Sequence, residues 1–214
     1  MHWEVNNPSP PLAVNNANKT TLIMAHFAEV VTDINNTSTH ETITLGGGCF
    51  WCTEAVYVEL KGVTRVVSGY SGGPEHTANY EAVCSKQSGH AEVILVDFDP
   101  SVITTRQILE VFFATHDPTT PNQQGNDKGP QYRSAVFYTT DEQKATAEDL
   151  MANTVPDLYG APAVTELLPH ETFYAAEDSH QDYYNKVGAR NGYCSFVITP
   201  KVGKFRKQFA TLRK

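Results

Sequence analysis

The stretch ETITLGGGCFWCTEAVYVEL, residues 41–60, constrains the fold more than any other part of the chain. ETITL alternates apolar and polar residues with the two-residue period of a strand, and Gly46-Gly47-Gly48 stops it. CTEAVYVEL then places Ala55, Val56 and Leu60 on one helical face. A strand must therefore hand over to a helix across three glycines, and Cys49 and Cys52 fall at the start of that helix.

The same alternation of periods continues downstream. GVTRVVSGY and AEVILVDF are β-rich runs, and TTRQILEVFFATH puts Ile108, Leu109, Phe112 and Phe113 on one helical stripe. RSAVFYTT reads as a strand. Thr140 and Gln143 follow it in capping-box spacing before KATAEDLMAN. APAVTELL reads as a further strand and AAEDSHQDYYNKV as a helix, and Val202, Phe205, Phe209 and Leu212 line a last amphipathic segment. Strands and helices alternate without a repeated unit, which points to a two-layer α+β domain. Two loops, GYSGGPEHTANY and HDPTTPNQQGNDKGPQY, are long for a compact domain, and ordered loops of that length tend to be functional. Residues 1–40 are rich in Asn, Pro and Thr and are expected to form a flexible or loosely structured leader, with one short helix around 22–31.

Composition excludes several classes. The chain has 214 residues, enough for one well-cored domain, with 40% hydrophobic and 19% charged residues. A net charge of -8 argues against a nonspecific grip on nucleic acid or anionic membrane. No apolar run approaches the roughly 20 residues of a membrane span. Four cysteines are too few for a disulfide scaffold at this length, and no secretory signal is legible at the start. A reducing, cytoplasmic setting is the expectation.

The cysteine pair admits three readings. Structural zinc needs four ligands, and here only the lone Cys84 and Cys194 and scattered histidines could complete a site. A thioredoxin-like exchanger fits a Cys-x-x-Cys that opens a helix, but nothing else resembles that fold, and Phe50 and Trp51 are bulky between the sulfurs. The third reading makes Cys49 a nucleophile, its thiolate favoured by the N–H groups of the first helical turn, with Phe50 and Trp51 as an apolar wall. This reading accounts best for the two aromatics.

GGGCFW also resembles the signature of the peptide methionine sulfoxide reductases, specifically the A type that acts on the S epimer. SGYSGG, NYEAVCSKQSGHAEVILVDFDP, HDPTT, QGNDKGPQYRSAVFY and FYAAEDSHQDYY…NGYC resemble further blocks of that family, in its order, over about residues 44–195. The resemblance implies that residues 41–214 are the catalytic domain of an oxidoreductase that repairs oxidised methionine. The expected fold is an α+β two-layer sandwich. Its mixed, mainly antiparallel sheet is flanked by helices around a ferredoxin-like core, with long loops and an irregular C-terminal segment.

By the same resemblance, Cys49 attacks the sulfoxide sulfur and becomes a sulfenic acid. Phe50 and Trp51 hold the S-methyl group, with Tyr183 as a further substrate-binding residue. Glu92 is the acid that protonates the oxygen, Tyr80 and Tyr132 hydrogen-bond it, and Asp127 positions the substrate or Tyr132. His90, His116 and His180 are read as structural, and Cys84 as packed and inert. The commonest family pattern has glycine after GCFW; here Cys52 gives a GCFWC variant, and the GYC near the end adds Cys194. Two resolving thiols are thus available, with Cys194 favoured in the pair exposed to reductant. The implied substrates are methionine sulfoxide free and in proteins, and the implied reductant is thioredoxin. No metal or cofactor is implied, and the expected state is a monomer.

Overall fold

The computed structural model describes residues 40–214, so the leader and its expected helix at 22–31 lie outside the described residues. In chain order the elements are β1 (Glu41–Gly47), α1 (Phe50–Tyr57), β2 (Val63–Ser71), α2 (Tyr80–Cys84), β3 (Ala91–Phe98) and α3 (Thr105–Thr115). There follow the two-residue strands β4 (Gln123–Gln124) and β5 (Asp127–Lys128), then β6 (Ser134–Tyr138), α4 (Asp141–Asp149), α5 (Val155–Tyr159) and β7 (Glu166–Pro169). β8 (Tyr174–Ala175), α6 (Tyr183–Val187) and α7 (Thr199–Gln208) complete the chain. No helix among the described residues is long and apolar enough to cross a membrane.

One six-stranded sheet runs in the order β7-β6-β1-β3-β2-β8. Only the β6–β7 pairing is parallel. Its inner strands come from two interleaved units, β1-α1-β2 and β3-α3-β6, so that each parallel pair is separated by a strand of the other unit. This is the ferredoxin-like arrangement expected from the sequence.

Period-two patterning decides which way each strand faces. Ile43 and Leu45 of β1, Ile94, Val96 and Phe98 of β3, and Val136 of β6 enter the main core. They meet Val56 of α1, Phe112 and Phe113 of α3, and Val202 and Phe205 of α7 there. Burying each such side chain contributes roughly 1.5–3 kcal/mol. Ala91, Val93, Ala135 and Phe137 point to the opposite face, into a smaller cluster under Leu168 and Phe173. The alternation has a consequence for chemistry. Glu92 is in step with Ile94 and Val96, so its carboxyl is carried on the helix-covered face, beside α1.

Three local expectations are corrected. AAEDSHQDYYNKV is not one helix: β8, a single turn over Asp178–His180 and the short α6 replace it. Bonds to other elements replace its helical ones: Glu54 accepts the Asp182 and Tyr183 N–H groups, and a side chain of the segment itself is tied to β2. Gln181 pairs with Ser68 through Oε1 (2.9 Å) and Nε2 (2.8 Å), and Asp182 adopts a left-handed φ of 53°. APAVTELL is strand only from Glu166 on. At Thr140 the hydroxyl accepts the Gln143 N–H, but Gln143 Oε1 accepts instead from Thr139 N–H at 2.8 Å. The reciprocal capping box lies at Thr104 and Gln107, ahead of α3.

His116, at the end of α3, ties the core together and matches its expected structural role. Phe112 carbonyl can only accept, so Nδ1 carries the proton and donates to it at 2.7 Å. Nε2 then accepts from Ser134 Oγ at 2.7 Å, and Ser134 Oγ accepts from Thr165 Oγ1 at 2.7 Å. Burial pushes the imidazole pKa down to about 4. A depressed folded-state pKa means that this contribution is complete above pH about 6.5 and is lost as pH falls toward 4. Equilibrium urea unfolding is therefore expected to show the wild type losing about 2 kcal/mol through this group between pH 7 and pH 5. His116→Asn should show a correspondingly smaller loss, and equal losses in the two proteins would remove His116 as the cause.

Candidate active site

The glycine junction fixes where Cys49 stands. Gly48 has φ +89°, which favours glycine, and a Cβ there would lie 2.5 Å from Gln124 Cγ. The turn delivers Cys49 to the N-cap position of α1, at φ -55° and ψ 124°. Its carbonyl accepts the Cys52 and Thr53 N–H groups at 3.0 and 3.3 Å. The next N–H, from Phe50, does not face the sulfur. It donates to Glu92 Oε2 at 3.1 Å, joining the helix start to the central strand β3. Phe50 N–H is the only donor to that carboxyl among the described residues.

Around this bond the chain closes a cavity of about 200 Å³. Cys49, Phe50 and Trp51 supply one side, and Glu92 lies at its base. Tyr80, Asp127 and Tyr132 enter from the two long loops. Tyr193, just before Cys194, completes the wall; the sequence reading did not single it out. Its hydroxyl donates to Asp127 Oδ2 at 2.6 Å, and its ring meets Trp51 edge-on at 6.1 Å. Tyr183 stacks on Trp51, with centroids 3.8 Å apart and planes 8° apart, and so backs the indole without lining the cavity. His180 packs against Tyr80 at 4.3 Å and near Trp51 at 5.5 Å, and burial lowers its pKa.

Burial holds the acid and the attacking thiol in their protonated forms. Burial first, with the neighbouring Asp127 and Cys52 adding to it and the Phe50 N–H opposing it, pushes the Glu92 pKa up to about 8. Burial also raises the Tyr80 and Tyr132 hydroxyls, so both remain donors. The Cys49 thiol is raised well above the ordinary range, first by burial and then by its hydrogen bond to Cys52. The thiol is therefore favoured over the thiolate expected at the helix start, because the cap N–H has gone to Glu92 and burial disfavours the anion. Cys52 is lowered to about 7 by the Cys49 hydrogen bond, with Lys201 and Tyr193 also contributing. The pair holds its first negative charge at Cys52.

A second cavity of about 450 Å³ adjoins the first and shares Cys49, Asp127 and Tyr193 with it. Cys52 opens into this second cavity. Cys194, expected on a glycine-containing tail, is buried at the head of a helical turn, Cys194–Ile198. Burial raises its thiol, and Cys52 is the neighbouring charge that adds to the rise. Cys84 is exposed rather than packed, and its side chain is hydrogen-bonded to Tyr80.

The positioning residues were mostly invisible in the sequence. Glu54 Oε1 accepts from Asp182 N–H (2.8 Å) and Oε2 from Tyr183 N–H (3.2 Å), which sets Tyr183 on Trp51. Glu177 accepts from Tyr70 Oη and from Tyr80 N–H, both at 2.9 Å. The acids of CTEA and AAED look like ordinary surface charges when no partner is in view. Glu54→Ala would strand two backbone donors. It is expected to cost about 2–4 kcal/mol in denaturant unfolding and to change Trp51 fluorescence as the stack loosens. A loss under about 0.5 kcal/mol would mean that the turn holds itself.

Comparison with known proteins agrees with this geometry. The family model described as peptide methionine sulfoxide reductase matches residues 41–213. The peptide methionine sulfoxide reductase MsrA of Sulfolobus acidocaldarius is 56% identical over 169 residues, 79% of this chain and 95% of that protein. The MsrA of Psychrobacter cryohalolentis is 55% identical over 170 residues, 79% of this chain and 96% of that protein. Among solved structures, Mxr1 from Saccharomyces cerevisiae in reduced form superposes with TM-score 0.65 at 35% identity, covering 72% of this chain and 88% of that one. Methionine sulfoxide reductase A of Corynebacterium diphtheriae gives TM-score 0.67 at 32% identity, covering 75% and 80%.

Proposed function

The chain belongs to the peptide methionine sulfoxide reductase A family, and from that premise we propose that residues 41–214 reduce methionine S-sulfoxide with Cys49 as the attacking sulfur and Glu92 as the acid. The observation that carries the assignment of roles is the buried Glu92, held by Phe50 N–H in the cavity that Cys49 lines. A sulfoxide oxygen leaves easily only when protonated, and a carboxyl with a pKa of about 8 still carries its proton at neutral pH.

Phe50 and Trp51 take the methyl group, and the Tyr80 and Tyr132 hydroxyls donate to the oxygen as charge builds on it. Glu92 gives its proton to the oxygen while Cys49 attacks the sulfur, and the carboxylate takes up the thiol proton. The S–Sγ bond stays as the S–O bond breaks, the oxygen leaving as water with that second proton. Water then attacks Cys49 Sγ, the thioether leaves, and the proton released returns to Glu92. The net change is Cys49–SH plus sulfoxide to Cys49–SOH plus thioether, with Glu92 returned to its acid form. A cavity of about 200 Å³ accommodates the methyl sulfoxide end and leaves the rest of the residue outside. Both the free amino acid and exposed methionines of proteins then fit.

The rate of this step should fall as pH rises through about 8, because the acid form is lost there. In single-turnover assays without reductant, the S epimer should yield methionine. Cys49→Ser should yield none, and Glu92→Gln should be slower by roughly 10²–10⁴ with a flattened pH profile. Equal reduction of the R epimer, or a Glu92→Gln rate within a few-fold of wild type, would overturn the assignment.

Recycling follows from the sulfurs' order in space. Cys52 attacks the Cys49 sulfenate, forming the Cys49–Cys52 disulfide and releasing water. Cys194 then attacks Cys52 and frees Cys49, and thioredoxin returns both sulfurs to thiols. Cys52 is the better first partner, being hydrogen-bonded to Cys49 and the more acidic thiol. Cys194→Ser is expected to retain the Cys49–Cys52 disulfide after one turnover, read by mass spectrometry, while Cys52→Ser accumulates sulfenate. Cys52→Ser turning over with thioredoxin at the wild-type rate would reverse the order.

A further inference from the structure

The second cavity has a feature that the sulfoxide step does not use. Cys194 and Ile198 are both fully buried, four residues apart in one helical turn, and that leaves the residues between them facing out. Phe196 is 85% exposed, the most exposed large apolar side chain among the described residues, and Val197 beside it is exposed too. Single exposed apolar residues need no explanation. Here two consecutive ones stand at the rim of a groove whose floor is Cys49 and Cys52.

The groove also carries a charge of the right sign. Lys201, on the first turns of α7, lines it and makes no ion pair among the described residues. An incoming thiolate is an anion, and the sulfur it displaces leaves as one, so a cation beside Cys52 favours both steps.

We propose that this groove is the docking surface for the protein dithiol that recycles the enzyme, with Phe196 as its apolar anchor and Cys52 as the sulfur it attacks. The proposal rests on the recycling assigned above. The partner is a protein with a surface Cys-x-x-Cys dithiol set in an apolar patch, the chemistry of thioredoxin. Its thiolate attacks Cys52 Sγ within the Cys52–Cys194 disulfide, a new S–S bond forms, and Cys194 leaves as thiolate and takes a proton. The partner's second thiol then attacks the partner's own sulfur in that mixed disulfide and releases Cys52. Two electrons and two protons pass to this chain, and the partner ends as a disulfide. A small dithiol reaches the same sulfur through the opening and has no use for the anchor.

The test uses the full chain and methionine sulfoxide at saturation, with either thioredoxin or dithiothreitol as reductant. Phe196→Ala is expected to raise the KM for thioredoxin by about tenfold or more, the loss typical of a truncated interface anchor. Turnover with dithiothreitol should stay at the wild-type value, and Phe196→Tyr should restore the thioredoxin KM. An unchanged thioredoxin KM would overturn the proposal. So would an equal loss with both reductants, which would place Phe196 in the chemistry of the chain itself. A wild type that dithiothreitol recycles and thioredoxin does not would overturn the recycling assignment and the docking surface with it. A variant that changes only the sedimentation state would assign the groove to a second copy of the chain.

Discussion

One hydrogen bond organises the site: Phe50 N–H to Glu92 Oε2. It joins the first residue of α1 to the central strand β3 and so fixes the proposed attacking sulfur relative to the proposed acid. Its geometry depends on features far apart in the chain. The glycine junction must place Cys49 at the cap, and the two-residue period of β3 must carry Glu92 to the helical face. A one-residue slip of β3 would turn Glu92 to the opposite face and bring its apolar neighbours out of the main core. The hydrophobic pattern that sets the register therefore also sets the chemistry.

The same bond decides the charges. An unpaired N–H at a helix start usually favours a thiolate, but here it is spent on a carboxyl that burial keeps protonated. A neutral acid accepts one such bond without ionising, because desolvation of its charged form outweighs one backbone donor. Cys49 in turn remains a thiol beside it. In the proposed reaction the site is thus charged with protons before the sulfoxide arrives, and the nucleophile is activated by the act of protonating the oxygen.

The sequence records some of these features and hides others, residue by residue. Strands such as AEVILVDF announced themselves because burial on one face imposes a period that local composition records. Cys49, Phe50 and Trp51 were legible because three consecutive, unusual residues follow an unusual turn. Glu92, Tyr80, Tyr132 and Asp127 became legible only through the family blocks that contain them; singly, each resembles a surface residue. Glu54, Glu177, Gln181 and Tyr193 were not legible at all. Their partners are backbone N–H and C=O groups or side chains more than sixty residues away, and no local pattern encodes a bond of that kind. The misread helix over AAEDSHQDYYNKV has the same cause: its helical period is real, but long-range bonds from Glu54 and Gln181 hold its backbone in another shape.

In the proposed cycle the two cavities separate the two halves of the chemistry in space. Both contain Cys49, and the wall between them is the Tyr193–Asp127 pair. A sulfoxide enters on the side of Glu92, where burial favours uncharged groups and a protonated acid. Thiolates are handled on the side of Cys52 and Lys201, where a cation lowers the cost of an anion. Placing the oxidation of Cys49 and its reduction on opposite sides of one sulfur lets each environment keep its own charge. Cys52, in the first turn of α1, lines the second cavity and is hydrogen-bonded to Cys49.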